Sequence, residues 1–115
     1  MNWNNLNALA QFENLNAEST RQAILIFKHS TRCSISSNAL SRLERNWQAT
    51  DDQKIKPYFL DLLSHRSISD FVSTLYKIEH QSPQILIIKN GKCVFSSSHL
   101  DINYSEIIQK AISLN

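Results

Sequence analysis

The stretch Phe27-Lys28-His29-Ser30-Thr31-Arg32-Cys33-Ser34-Ile35-Ser36 decides how the chain is organised. Before it lies the apolar run Ala23-Ile24-Leu25-Ile26-Phe27, which is rich in strand formers and too short to span a membrane. After it comes a helical pattern whose apolar residues recur every four positions. These residues are Ile35, Ala39, Leu43 and Trp47. The sequence therefore predicts a strand over about residues 22–28 that delivers Cys33 to a helix ending near Trp47.

A cysteine at the start of a helix is a candidate nucleophile. The amides of the first helical turn have no partners within the helix, and the helix dipole adds about half a positive charge there, so a thiolate is favoured over a thiol. Lys28 and Arg32 are expected to add to this positive field. Cys33 is therefore the predicted catalytic residue; the alternative is a half-buried cysteine that only packs.

The pattern around Cys33 is C-x-x-S, because Ser36 stands where a dithiol enzyme has its second cysteine. An active site here would therefore work with one thiol. Ser36 is predicted either to hydrogen-bond the thiolate or to be a plain first-turn serine. Cys93 is predicted to be structural, since it should lie roughly 15 Å from Pro83 along the sheet, beyond disulfide reach. An intermolecular role for Cys93 stays open if it faces solvent.

Composition excludes several classes of protein. The 115 residues fit one domain, 1–115, that is long enough for a core without disulfides. With 12 basic and 10 acidic residues, the charge balance does not indicate a nucleic-acid partner. No signal peptide or membrane-length apolar run is visible, and two cysteines are too few for a secreted disulfide framework. We therefore expect a cytoplasmic protein with reduced thiols and no membrane partner.

The remaining segments predict the order α-β-α-β-α-β-β-α. The predicted elements outside the Cys33 region are a helix over residues 4–16, a strand over 58–63, a helix capped by Ser67 and Asp70, strands over 85–88 and 92–96, and a helix capped by Asn103 and Glu106 with Ile107, Ile108, Ala111 and Ile112 inside. Asn90-Gly91 is the strongest short hairpin signal in the chain. Two β-α-β crossovers predict a parallel core, to which the hairpin adds an antiparallel edge. The expected fold is thioredoxin-like α/β, with a four-stranded mixed sheet and helices on both faces.

Three motifs together resemble one family. Residues 27–36 closely resemble the F-K-H-S-T-x-C-P-I-S signature of the monothiol bacilliredoxins, the YtxJ-type bacillithiol system redox-active proteins. Residues 80–84 and 98–102 are similar to the family's H-E-S-P-Q and S-H-x-x-I segments. Ser34 replaces the family's proline and Gln81 its glutamate. The first change removes a preset φ at the helix start, so altered rather than lost reactivity is expected.

The resemblance implies a small thiol–disulfide oxidoreductase. Its substrates would be S-thiolated cytoplasmic proteins, whose cysteines are capped by the low-molecular-weight thiol bacillithiol. Cys33 would attack the mixed disulfide, free the protein thiol and carry bacillithiol until another thiol removes it. Bacillithiol would be a co-substrate, and no resident cofactor is expected.

The predicted substrate-binding residues surround Cys33. They are Thr31, Arg32, Ser34, Ser36, Ser82, Pro83 and His99. In thioredoxin folds a cis proline at the position of Pro83 places the preceding backbone, here that of Ser82, beside an extended substrate. Arg32 suits carboxylates of a small acidic thiol or is simply solvated. His99 either returns to the active-site end or is an ordinary surface histidine.

The four histidines show no metal-ligand spacing, so no metal site is predicted.

Two functions other than thiol–disulfide exchange stay open. A non-catalytic thioredoxin-fold module that binds a protein partner is the main alternative, and Ser34 is its best support. An iron–sulfur carrier like the monothiol glutaredoxins is weaker, because the expected glycine beside the cysteine is missing.

Overall fold

The computed structural model describes all 115 residues and contains a five-stranded mixed sheet. The strands are β1 (Asn4–Asn5), β2 (Ala23–His29), β3 (Ile55–Asp61), β4 (Gln84–Lys89) and β5 (Lys92–Ser98). The helices are α1 (Gln11–Glu18), α2 (Ser34–Asn46), α3 (Arg66–Tyr76) and α4 (Tyr104–Leu114), with 3-10 turns at Ala49–Gln53 and His99–Asp101. The strand order is β1-β3-β2-β4-β5. The predicted thioredoxin-like α/β fold is confirmed, with one strand more than expected.

The directions of the strands divide the sheet into two parts. β1 and β2 run parallel to β3, while β4 is antiparallel to β2 and β5 is antiparallel to β4. The expected second parallel crossover is therefore wrong. Lys77 ends α3 in the left-handed conformation. Residues 77–83 then run back along the length of α3, so that β4 begins at the edge of the sheet where β2 ends. A link of this length can reach about 20 Å, which exceeds the length of α3.

Alternation along β2 separates two hydrophobic cores. One core lies under α2 and α4 and contains Leu25 and Phe27, whereas the other lies under α1 and α3 and contains Ile24 and Ile26. The last two residues of β2, Lys28 and His29, continue this alternation and lie on opposite faces of the sheet. Both are buried, so each must find polar partners within the protein.

The helix predicted over residues 4–16 is wrong in its first half. Asn4 and Asn5 instead form β1 beside Tyr58 and Phe59, and α1 begins only at Gln11. The Leu6 amide continues the pairing by donating to the Phe59 carbonyl at 2.8 Å. A three-residue apolar spacing therefore fits the helix only after Gln11, whose side chain accepts from two preceding amides.

Two boundaries around β3 and α3 also differ from expectation. β3 begins at Ile55, three residues earlier than predicted, and includes Pro57. The Pro57 carbonyl accepts from the Asn4 side chain at 3.1 Å, so the side of Pro57 that lacks an amide hydrogen faces the short β1 edge, where proline is tolerated. The predicted Ser67 and Asp70 cap is wrong, because His65 precedes α3 without a side-chain cap.

The hairpin and the last helix follow the prediction closely. Asn90 and Gly91 have φ of 54° and 72°, as a turn between β4 and β5 with two positive φ angles requires. The Asn103 side chain caps α4 by accepting from the Glu106 amide at 3.1 Å. Ile112 is the exception on α4, since it is exposed rather than buried.

Candidate active site

The strand ends gather the predicted site residues at one edge of the sheet. β2 and β3 end there, and β4 begins there, because Gln84 pairs with Lys28. Cys33 is the residue that precedes α2; its backbone is extended and its side chain is half-buried. Its amide donates to the Ser30 carbonyl at 3.2 Å, and its carbonyl accepts from the Ser37 amide at 3.0 Å. Cys33 is thus held by backbone bonds at the start of a 13-residue helix, as the sequence predicts.

A buried histidine fastens the beginning of this helix. His29 Nδ1 lies 2.6 Å from Ser36 Oγ, and burial lowers the pKa of His29, so the ring is neutral at neutral pH. The Ser36 hydroxyl accepts from the Ser30 amide at 3.0 Å and also hydrogen-bonds Nδ1 of the neutral ring. Neither partner of Ser36 is Cys33. Ser36 connects strand, loop and helix, and its predicted contact with substrate stays a prediction.

Lys28 is fully buried on the face of the sheet opposite α2. Its ammonium donates to Ser69 O at 3.3 Å, to Ser73 Oγ at 3.1 Å and to His80 Nδ1 at 3.3 Å. Burial lowers the pKa of Lys28 to about 8, and the nearby Asp70 opposes part of that shift. The expectation that Lys28 adds to the positive field at Cys33 is wrong, because alternation along β2 turns its charge to the other face.

The segment before β4 carries a cis peptide bond between Ser82 and Pro83, as expected. Gln84 is buried and fixes this segment by two hydrogen bonds: its side chain donates to the Glu79 carbonyl and accepts from the Gln81 amide. The Ser82 hydroxyl oxygen is buried and has no hydrogen-bond partner. Pro83 therefore sits at the same edge as Cys33, with the backbone of Ser82 beside it.

His99 returns to the active-site edge. Its amide donates to the Pro83 carbonyl at 3.0 Å, and the turn His99–Asp101 packs against α2. This position favours the first of the two readings that the sequence leaves open for His99.

Three further predicted residues, Thr31, Arg32 and Ser34, are exposed beside Cys33, where a ligand can reach them. Ile35 is also exposed, at 40%, although its spacing predicts a core position. Ser36 takes the inward position in the first turn instead.

Cys93 lies at the other end of the sheet. It pairs with Ile88, which pairs with Ile24 five residues before His29, a separation of roughly 16 Å along the strand. Its Sγ donates to the Phe95 carbonyl at 3.3 Å, and burial raises the pKa of the thiol. These contacts agree with a structural role for Cys93, which is too distant to pair with Cys33 within one chain.

The chain has neither a cluster of potential metal ligands nor a helix that could span a membrane. No group of three or more His, Cys, Asp or Glu side chains is close enough to hold a metal ion. No helix combines the length and the apolar character that crossing a membrane requires.

The sequence interpretation missed three residues that organise this site: His29, His80 and Gln84. From the sequence, His29 is given no role beyond the search for metal-ligand spacing. The alternation of β2 was a usable signal for it, since a histidine directly after buried Phe27 and Lys28 must face one of the two cores. His80 and Gln84 lie in the motif that resembles H-E-S-P-Q, and only the tertiary structure shows what they bind.

Comparison with solved structures places this site in a known class. A solved structure described as "A putative oxidoreductase with a thioredoxin fold" is 29% identical, with a TM-score of 0.78 over 93% of this chain and 91% of that chain. Thioredoxin from Malassezia sympodialis is 14% identical, with a TM-score of 0.73 over 96% of this chain and 88% of its own. Thioredoxin from Fasciola hepatica is 18% identical, with a TM-score of 0.70 over 96% of this chain and 98% of its own. The two thioredoxins show the fold alone. Fold and cysteine site together define a thioredoxin-fold thiol–disulfide oxidoreductase.

The family described as "Monothiol bacilliredoxin BrxC" matches residues 4–107, which is nearly the whole chain. The chain therefore belongs to the monothiol bacilliredoxin family. The resemblance carried by the three sequence motifs is confirmed.

Proposed function

We propose that this protein removes bacillithiol from mixed disulfides on protein cysteines by means of Cys33. The observation that carries the proposal is the isolation of this thiol. Cys33 stands alone at the start of α2, Ser36 occupies the buried position one turn on, and Cys93 lies at the opposite end of the sheet. An isolated thiol can take over a small thiol from a substrate, but it cannot resolve the product within its own chain.

The reaction consists of two thiol–disulfide exchanges. The Cys33 thiolate attacks the bacillithiol sulfur, a new S–S bond forms, and the bond between bacillithiol and the protein cysteine breaks. The protein cysteine leaves as a thiolate and takes a proton from solvent. A second thiol then attacks the bacillithiol sulfur of the Cys33 mixed disulfide, forms a new disulfide with bacillithiol and releases the Cys33 thiolate. No net oxidant is needed, because each step exchanges one disulfide for another.

The surroundings of Cys33 suit both halves of such a substrate. Arg32 is exposed next to the cysteine and is able to pair with a carboxylate of the small thiol. The amide and carbonyl of Ser82 make no backbone hydrogen bond within the protein, so they are available to an extended protein segment. The partners we propose are S-thiolated proteins of the cytoplasm, where reduced thiols regenerate Cys33.

The cysteine dependence of group transfer tests this proposal. Reduced wild-type protein, Cys93→Ser and Cys33→Ser would each be mixed with a peptide whose cysteine is capped by bacillithiol. Intact mass would follow the protein, and chromatography would follow the free peptide. We expect the wild type and Cys93→Ser to gain one bacillithiol and release the peptide, whereas Cys33→Ser does neither.

The same experiment separates the alternative of a non-catalytic binding module. Exposed Ile35, in the first turn of α2, and exposed Leu100, in the turn that packs against α2, offer apolar contacts to a protein partner in either case. Retained peptide binding by Cys33→Ser, together with no group transfer by the wild type, would contradict the enzymatic proposal and favour the binding module.

A further inference from the structure

The cis-proline segment and the strand that leads to Cys33 are joined by a buried cation. The Lys28 ammonium has three donor hydrogens, and the structure provides three acceptors, Ser69 O, Ser73 Oγ and His80 Nδ1. The first two belong to α3, and the third belongs to the segment that reaches Ser82 two residues later. A fully buried lysine without a direct carboxylate partner is uncommon, because desolvation of the charge is costly.

Adjacent residues of β2 thus hold two different parts of the active-site edge. His29 bonds Ser36 on the α2 face and fastens the beginning of the Cys33 helix. Lys28 bonds His80 on the α3 face and fastens the segment that carries Pro83. Since the two residues are neighbours in one strand, the two attachments share one rigid element. Relative movement of Cys33 and Pro83 then requires one of these hydrogen bonds to break.

We infer that Lys28 is a positioning residue that holds the Ser82–Pro83 segment, through His80, in register with Cys33 for protein disulfides. This inference rests on the proposed function and deepens it. Lys28 does not touch Cys33, because it faces the opposite side of the sheet. Its effect is therefore confined to substrates that use the cis-proline backbone, and a small reagent that reaches only the thiol does not depend on it.

The charged groups around this contact set the protonation states that it needs. Asp70 on α3 is the acidic group that favours the Lys28 cation. His80 also feels Lys28 and Arg66, and burial together with these two cations lowers the pKa of His80. The His80 ring is therefore neutral at neutral pH, and Nδ1 is the acceptor while Nε2 carries the proton.

Kinetics on two classes of reagent test the inference. Lys28→Met keeps the length of the side chain and removes the ammonium, and His80→Leu removes the acceptor, whereas His80→Gln retains one. We expect Lys28→Met and His80→Leu each to slow transfer from a capped peptide about tenfold, the factor for losing one hydrogen bond to a charged group. The double variant should be no slower than either single variant. Alkylation of Cys33 by iodoacetamide should change less than twofold.

Controls distinguish positioning from general damage. Lys92→Met removes an exposed lysine at the far end of the hairpin and should leave both rates unchanged. His80→Gln should recover most of the peptide rate. Equal slowing of peptide transfer and iodoacetamide alkylation would overturn the inference, as would an unchanged peptide rate in Lys28→Met.

A measurement on the wild type keeps the inference testable even if a variant does not fold. Nitrogen NMR of the histidine rings at pH 7 should show His80 neutral, with Nδ1 unprotonated and hydrogen-bonded. A protonated Nδ1 would overturn the Lys28–His80 contact. Failure of the wild type to transfer bacillithiol from any peptide would instead defeat the proposed function, while the NMR result would still report on the contact.

Discussion

The buried lysine makes a quantitative prediction about stability and pH. Burial lowers the pKa of Lys28 from its ordinary value of 10.5 to about 8 in the folded protein. Above about pH 8 the unfolded state therefore binds more protons at this site than the folded state does, and stability must rise with pH. Replacing Lys28 by Met removes this contribution.

The magnitude follows from the size of the shift. Because each pKa unit corresponds to 1.36 kcal/mol, the full contribution is about 3 kcal/mol, reached only above pH 10.5. Between pH 7 and pH 9 the linkage relation gives about 1 kcal/mol. Other groups act in the opposite direction at high pH: the raised pKa of Cys93 makes its contribution fall as the pH rises through 9. The comparison must therefore be the difference between wild type and Lys28→Met.

Urea denaturation at pH 7, 8 and 9 measures this difference. We expect the free energy of unfolding of the wild type, relative to Lys28→Met, to increase by about 1 kcal/mol over that range. Lys92→Met should follow the wild type at every pH. Parallel pH profiles for the wild type and Lys28→Met would refute the reasoning, because they would mean that Lys28 has the same proton affinity in both states.

Three further predictions concern the Cys33 helix, the hairpin and the last helix. Ser36→Cys should convert the site to a dithiol, so that mild oxidation removes two hydrogens from the intact mass; two alkylatable thiols after oxidation would contradict this. Gly91→Ala should lower the free energy of unfolding in urea by about 1 kcal/mol, because φ is 72°, a backbone conformation that alanine rarely adopts. No atom lies within 4 Å of the added methyl group, so no steric clash adds to this loss. An unchanged midpoint would show that the turn relaxes. Asn103→Ala should cost about 1 kcal/mol by loss of the cap, whereas Gln109→Ala in the same helix should cost much less; equal losses would contradict a capping role.

Local signals account for what the sequence predicts correctly. The apolar run before Cys33, the Asn90-Gly91 turn and the Asn103 cap each depend on residues within one short segment, and the structure retains all three. The first strand depends instead on pairing between Asn4–Asn5 and β3, more than 50 positions away in the chain. An apolar spacing that suits a helix cannot reveal such a partner, so the helix is predicted too early.

In the candidate active site, too, features set by neighbouring residues can be predicted, and contacts between distant residues cannot. The placement of Cys33 at a helix start can be read from neighbouring residues, and the position of Pro83 from its place before a strand. The contact between Lys28 and His80 joins residues 52 positions apart, and its geometry depends on α3 as well as on β2. The alternation of β2 does predict opposite faces for Lys28 and His29, but it does not say which buried partners each residue meets.

The rate of bacillithiol transfer to Cys33 tests the central claim most directly. One peptide would be capped by bacillithiol and a second, of identical sequence, by glutathione, and intact mass would give the second-order rate constant for each. We expect the protein to gain the mass of one bacillithiol, attached to Cys33. The rate constant for the bacillithiol peptide should exceed that for the glutathione peptide. Transfer from neither peptide, or equal rates from both, would contradict the proposed specificity for bacillithiol.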